Sequence, residues 1–169
     1  RTRIPWLLIN MATSFLAASV IALFDGTIQE MVALAILMPI VASIGGNAGI
    51  QAMTVTVRAI ASRSVTSRNT ARVIGREVLV ALANGSIIAV IVGLVAGFWF
   101  QNPDLGVVIA SALVFNVFCA GFFGVVTPIL LDKAGADPAV ASSVFLTTLT
   151  DVIGFLAFLG VAAWWFGIF

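Results

Sequence analysis

The chain has 169 residues, 62% of them hydrophobic, with eight basic and seven acidic side chains, a net charge of +1 and a mean hydropathy of +1.20. Soluble chains carry roughly 25% charged residues, and 9% cannot cover a globule of this size, so a water-soluble fold is excluded and lipid is the natural solvent. The absence of histidine and the single cysteine, Cys119, exclude imidazole and thiolate metal sites, disulfide frameworks and His-dependent acid–base catalysis within one chain, leaving oxygen to hold any metal.

Arg1 stands first and no signal-peptide pattern precedes the first apolar run, as expected of a fragment. A helix that crosses the hydrocarbon needs about 20 mostly apolar residues. Five runs satisfy this, at 6–24, 31–57, 78–100, 106–131 and 139–165, separated by polar breaks at 25–30, 58–77, 101–105 and 132–138. A β-barrel would need short segments of alternating polarity, whereas these runs are apolar on every face. The sequence predicts an all-α membrane protein, with residues 1–169 forming one transmembrane domain of five helices.

Basic residues set the orientation of such a bundle, because Lys and Arg stay in the cytoplasm while acidic residues carry little orienting information. Arg1 and Arg3 precede the first span, Arg58, Arg63, Arg68, Arg72 and Arg76 lie between the second and third, and Lys133 lies between the fourth and fifth. All fall on one side. The opposite breaks hold Asp25, Glu30 and Asp104 without Lys or Arg, so the N-terminus is expected inside and the C-terminus outside. Trp6, Trp99, Trp164 and Trp165, near span ends, fit an interfacial aromatic belt. The arginine-rich 58–77 break could be read as a nucleic-acid or anionic-lipid patch, but a topology determinant accounts for it better. No nucleic-acid partner is expected.

Within the spans, Asp151 is the most informative residue, since an acidic side chain at mid-helix costs about 2.5–3.5 kcal/mol on insertion scales. It lies about 18 Å into the fifth span at 1.5 Å per residue, and no Lys, Arg or His lies within any apolar span to neutralise it. A structural reading makes it a protonated residue joining helices. The favoured reading is a carboxylate that faces water and a cation, with Thr147 and Thr148 one turn earlier and Gly154 leaving room beside it. Taken alone, the threonines more readily bond their own preceding carbonyls.

The second span carries Pro39 and then Gly45-Gly46-Asn47-Ala48-Gly49-Ile50-Gln51. Proline removes a donor, so carbonyls near Ser43 to Asn47 are candidates for release from the helical ladder, and Asn47 and Gln51 place two amides on one face. A cavity-lining segment and a kinked packing helix are equally good accounts. Elsewhere, structural roles suffice. Gly93 and Gly97 form a small-residue packing pair, Asn84, Ser86 and Asn116 are candidates for cross-helix bonds, Pro128 is expected to bend or end its helix, and Cys119 reads as a small core residue. Asp137-Pro138 is a helix start, with Asp137 as N-cap.

Taken together and in order, Arg3-x-Pro5-Trp6-Leu7-Leu8, the Pro39 to Gln51 segment followed by Arg58, Arg76-Glu77, and Asp137-Pro138-Ala139 leading to Thr147-Thr148-x-x-Asp151-x-x-Gly154 resemble the membrane domain of the MgtE family of magnesium channels. The resemblance implies a homodimeric ten-helix bundle in the bilayer of a prokaryotic inner (plasma) membrane. Its pore would lie on the two-fold axis, lined by the second and fifth helices, with one Asp151 from each subunit holding a hydrated Mg²⁺. The implied cation path includes Thr147, Thr148, Gly46, Asn47 and Gly154, with Asp137 near the cytoplasmic mouth. Where family members often have Asn after the third glycine of the second-helix segment, this chain has Ile50. Members usually also carry cytoplasmic N-terminal and CBS regulatory domains. None is expected within this chain, which is then either an excised pore or a shorter homologue.

Mg²⁺ sheds water reluctantly and uses one or two carboxylates, so two Asp151 side chains would match one hydrated divalent ion. Mn²⁺, Co²⁺ and Ca²⁺ stay open. The alternative function is a proton- or sodium-coupled carrier in which Asp151 alternates between partners, although no internal repeat supports it. An enzyme is not expected: an aspartyl protease needs two carboxylates at depth, and this chain has one.

Overall fold

The computed structural model describes residues 3–66 and 68–168, so Arg1, Thr2, Ser67 and Phe169 lie outside the described residues. In chain order the helices are α1 Arg3–Ala22, α2 Asp25–Glu30, α3 Val32–Ala61, α4 Thr70–Trp99, α5 Pro103–Lys133 and α6 Pro138–Phe166, with no strand among the described residues. Five of them, all but α2, are long and apolar enough to cross a membrane. Each matches one of the apolar runs.

The boundaries differ from those runs in an informative direction. α3 continues four residues past Val57 and α4 starts eight residues before Val78. Backbone hydrogen bonds keep the helix intact beyond the apolar stretch, and the long stems of Arg58, Arg72 and Arg76 let their charges reach water. The 25–30 break is itself a six-residue helix, α2, whose buried Thr27 donates from Oγ1 to the Ile168 carbonyl at 3.2 Å. That bond ties α2 to the chain just past α6.

Both mid-span prolines lie inside continuous helices. α3 runs unbroken through Pro39, and the 43–47 segment remains within the helix. The ring removes only the donor that would reach the Ala35 carbonyl, one turn earlier, so the ladder is interrupted there rather than at the glycines. Pro128 does not end α5, which continues to Lys133.

α5 is the most enclosed of the five long helices and packs against α3, α4 and α6, while α1 lies against α6. Small residues allow the closest approaches. A Cβ at Gly93 would lie 2.8 Å from the Gly106 carbonyl oxygen, and one at Gly124 would lie 2.7 Å from the Gly49 carbonyl oxygen. Gly97, by contrast, sits at an ordinary 3.6 Å. Around these contacts a core forms from Leu34, Leu37, Val41, Ile109, Leu113 and Phe158, with a smaller cluster of Ala52, Val125 and Ile129 at the other end of the bundle. The Asn116–Val41 and Gly124–Gly49 contacts show that α3 and α5 run parallel, whereas α4 and α6 run opposite to them. The helix ends bearing Arg58, Arg72, Arg76 and Lys133 therefore gather at one end of the bundle, and Asp25, Glu30 and Asp104 lie at the other. Trp99, Trp164 and Trp165 are exposed near helix ends, as an interfacial belt requires.

Candidate functional site

Asp151 lies near the middle of α6, half-buried, and its carboxylate forms no hydrogen bond or ion pair with any described residue. Among the described residues, no arginine or lysine pairs with it. Among the described residues, no three Asp, Glu, Cys or His side chains converge to form a metal cage. One chain thus offers a single carboxylate at this depth. A hard cation held here would keep most of its water or share a second carboxylate.

The glycine segment of α3 faces the same stretch of α6. A Cβ at Gly49 would sit 3.0 Å from Leu146, and Gly45 and Gly154 both pack on the side-chain amide of Asn116. The 45–49 turn of α3 and the 146–154 segment of α6 consequently lie at one level, with Gly46 and Asp151 between their contact points. Gly46 has open space among the described residues where a side chain would project. Gly154 is different. A Cβ there would lie 2.6 Å from Asn116 Nδ2 and 3.3 Å from Val41, so the room expected beside the carboxylate is already filled, and Gly154 serves helix packing.

Thr147 donates from Oγ1 to the Ser143 carbonyl, and Thr148 donates to the Val144 carbonyl, each at 2.8 Å. The hydroxyl protons are therefore used within the helix, as Thr side chains in transmembrane helices commonly do. Their oxygen lone pairs stay available to water. Asn47 is exposed and donates weakly to Ser43 Oγ at 3.4 Å. Together with Gln51, Glu77 and Asn84 it lines a cavity of about 370 Å³ between α3 and α4, which no α6 residue lines. The two amides do share one face, but that face is turned toward α4.

Asp137 caps α6, accepting from the Ala139 N–H at 2.9 Å through Oδ1, with Pro138 as the first helical residue. Fourteen residues separate it from Asp151, about 21 Å along the axis at 1.5 Å per residue. The fold does not join them in one site.

Asn116 is the residue whose importance the sequence understated. It is fully buried, donates from Nδ2 to the Val41 carbonyl at 3.2 Å, and leaves Oδ1 without a partner among the described residues. Val41 offers an acceptor, so the donating end of the amide must face it, and the orphaned oxygen points elsewhere. Three helices meet at this one side chain. A lone Asn inside an apolar helix is its only signal in the sequence.

The profile of a family described as "MgtE: Divalent cation transporter" matches residues 38–161. A protein named magnesium transporter MgtE from Bacillus subtilis is 32% identical over 160 residues, covering 95% of this chain and 36% of that protein. Proteins of the same name from Enterococcus faecalis and Thermus thermophilus are 35% and 36% identical over 161 residues, again 95% of this chain. These cover 36% and 35% of the respective relatives, so the chain spans about a third of their length.

Proposed function

The chain belongs to the MgtE family, described as divalent cation transporters, and from that premise we propose that it is a membrane pore domain that conducts hydrated Mg²⁺. The observation that carries this reading is Asp151: a carboxylate at mid-helix without a basic partner among the described residues. An isolated carboxylate in a low-dielectric setting is costly unless water and a cation reach it.

In this reading two copies of the chain pair about a two-fold axis, and α3 and α6 of each line the path. The two Asp151 carboxylates supply two negative charges to one divalent ion through its water shell. A monovalent ion would leave the site under-neutralised, and full dehydration of Mg²⁺ is avoided because the contacts run through water. Outer-sphere binding also permits release, which conduction demands. Open space at Gly46 and the lone pairs of Thr147 and Thr148 support a wet wall. Asn116 and Gly154 hold α3 and α6 at the spacing the path needs. The basic ends of α3, α4 and α5 face the cytoplasm, with Asp137 at the inner mouth.

The test is ion flux in liposomes reconstituted with the purified chain, comparing wild type with Asp151→Ala across Mg²⁺, Mn²⁺, Co²⁺ and Ca²⁺. The proposal requires Mg²⁺ flux in wild type and its loss in the variant. Flux that appears only under an imposed proton or sodium gradient would assign a coupled carrier instead.

A further inference from the structure

We propose that the basic end of the bundle carries a binding pocket for an anionic phosphate group, presented by an acidic lipid of the cytoplasmic leaflet and held between Arg63 and Lys133. Its placement in that leaflet rests on the orientation proposed above; the pocket itself does not rest on the transport reading.

Arg63, just beyond the end of α3, and Lys133, in the last turn of α5, lie 70 positions apart in sequence and line one cavity of about 350 Å³. Among the described residues neither forms an ion pair, although Asp132 lines the same cavity. Two cations against one carboxylate leave an uncompensated positive charge. Thr66 adds a hydroxyl, so the wall offers both charged and neutral donors to phosphate oxygens.

The backbone sets where the Arg63 side chain leaves the helix. Arg63 adopts φ 55°, the left-handed region in which non-glycine residues are strained. Its N–H bonds to the Ile60 carbonyl at 2.9 Å, and the Ser64 N–H bonds to the Ala59 carbonyl at 2.9 Å. This is the paired-bond helix stop whose left-handed position is usually glycine. Gln101 takes the same stop after α4, at φ 51°, so the contribution of the turn here is geometric: it carries the Arg63 side chain past the end of α3 to the cavity wall.

The apolar part of the cavity favours a lipid over a soluble anion. Ile60 and Ile129 line it and pack in the cluster around Ala52 and Val125. The pocket thus straddles the level at which α3 leaves its apolar run, where a headgroup phosphate meets its acyl chains. Cytoplasmic-leaflet anionic lipids attract basic segments at this depth.

The test is native mass spectrometry of the purified chain incubated with phosphatidylglycerol or phosphatidylcholine. Wild type should retain phosphatidylglycerol preferentially. Arg63→Gly and Lys133→Gln should each lower retention by about fivefold, while Arg68→Gln, which removes the same charge from the same loop outside the cavity, should change it by less than about twofold. Arg63→Gly relieves the left-handed strain, so its melting temperature should hold or rise while lipid is lost, which separates binding from folding. Equal loss in Arg68→Gln, or equal retention of the two lipids, would overturn the site. Retention of inorganic phosphate together with equal retention of phosphatidylglycerol and phosphatidylcholine would overturn the lipid as its source. Asp151→Ala should retain lipid as wild type does, so failure of the transport reading would leave this result standing.

Discussion

The Asn116 amide, fully buried, donates from Nδ2 to the Val41 carbonyl at 3.2 Å, joining α5 to α3 across 75 positions of sequence. The same amide is pressed against Gly45 of α3 and Gly154 of α6. One polar group thereby fixes the spacing of the two helices proposed to line the path. Removing it should matter more than its single hydrogen bond implies. Asn116→Ala is expected to lower stability by about 1–3 kcal/mol through the lost bond and the void left among three helices. Thermal unfolding of the purified variant checks this, and an unchanged melting temperature would dismiss the role.

Gly45→Ala and Gly154→Ala should each destabilise by roughly 1–3 kcal/mol, because the added methyl collides with a buried amide that has nowhere to move. Combining Gly154→Ala with Asn116→Ala should recover part of the loss. The double-mutant cycle should show a coupling of about 0.5–3 kcal/mol. Strict additivity would mean that the two residues do not share a contact.

Gly46→Ala should behave in the opposite way. No atom lies within 4 Å of the added methyl, and alanine is the better helix former by up to about 1 kcal/mol. Its melting temperature should equal or exceed that of wild type. A large drop would show that the space beside Gly46 is occupied in the assembled protein.

Between α4 and α5, Gly93→Ala meets the Gly106 carbonyl at 2.8 Å, a backbone atom that cannot swing aside, whereas Gly97→Ala meets ordinary 3.6 Å contacts. We expect about 1–3 kcal/mol of destabilisation for the first and less than about 0.5 kcal/mol for the second. Parallel unfolding curves decide it.

Much of this architecture was legible in the sequence. Five apolar runs became five long helices, and Asp137-Pro138 marked the start of α6 because capping is a local property of adjacent residues. Asp151 stood out because nothing basic lies within any span. What stayed hidden was non-local. The partners of Asn116 are set by how helices cross, which no periodicity reports, and the turn of Asn47 and Gln51 toward α4 depends on the rotation of α3 in the bundle. Of the two accounts of the Ser43–Asn47 segment, the continuous helix holds, since Pro39 disturbs the turn before it rather than the one after. α2 was hidden because six mostly polar residues carry no helical period.

Asp137 serves α6 as a cap through its carboxyl oxygen, so Asp137→Ala should cost about 1 kcal/mol of stability, while Asp137→Ser, which also caps, should restore it. If its charge also draws cations to the inner mouth, the Ser variant will fold normally yet conduct less at low ionic strength. Flux equal to wild type in Asp137→Ser would confine the residue to its structural role.

The central claim is that the charge of Asp151, and not merely its shape or its hydrogen bonding, holds the hydrated ion. Asp151→Asn keeps the volume and removes the charge. Mg²⁺ flux into liposomes reconstituted with this variant should fall at least about tenfold, as loss of a charge-assisted contact of roughly 1.5–3 kcal/mol implies, while its melting temperature stays within a few degrees of wild type. Undiminished Mg²⁺ flux through the folded Asn variant would contradict the account.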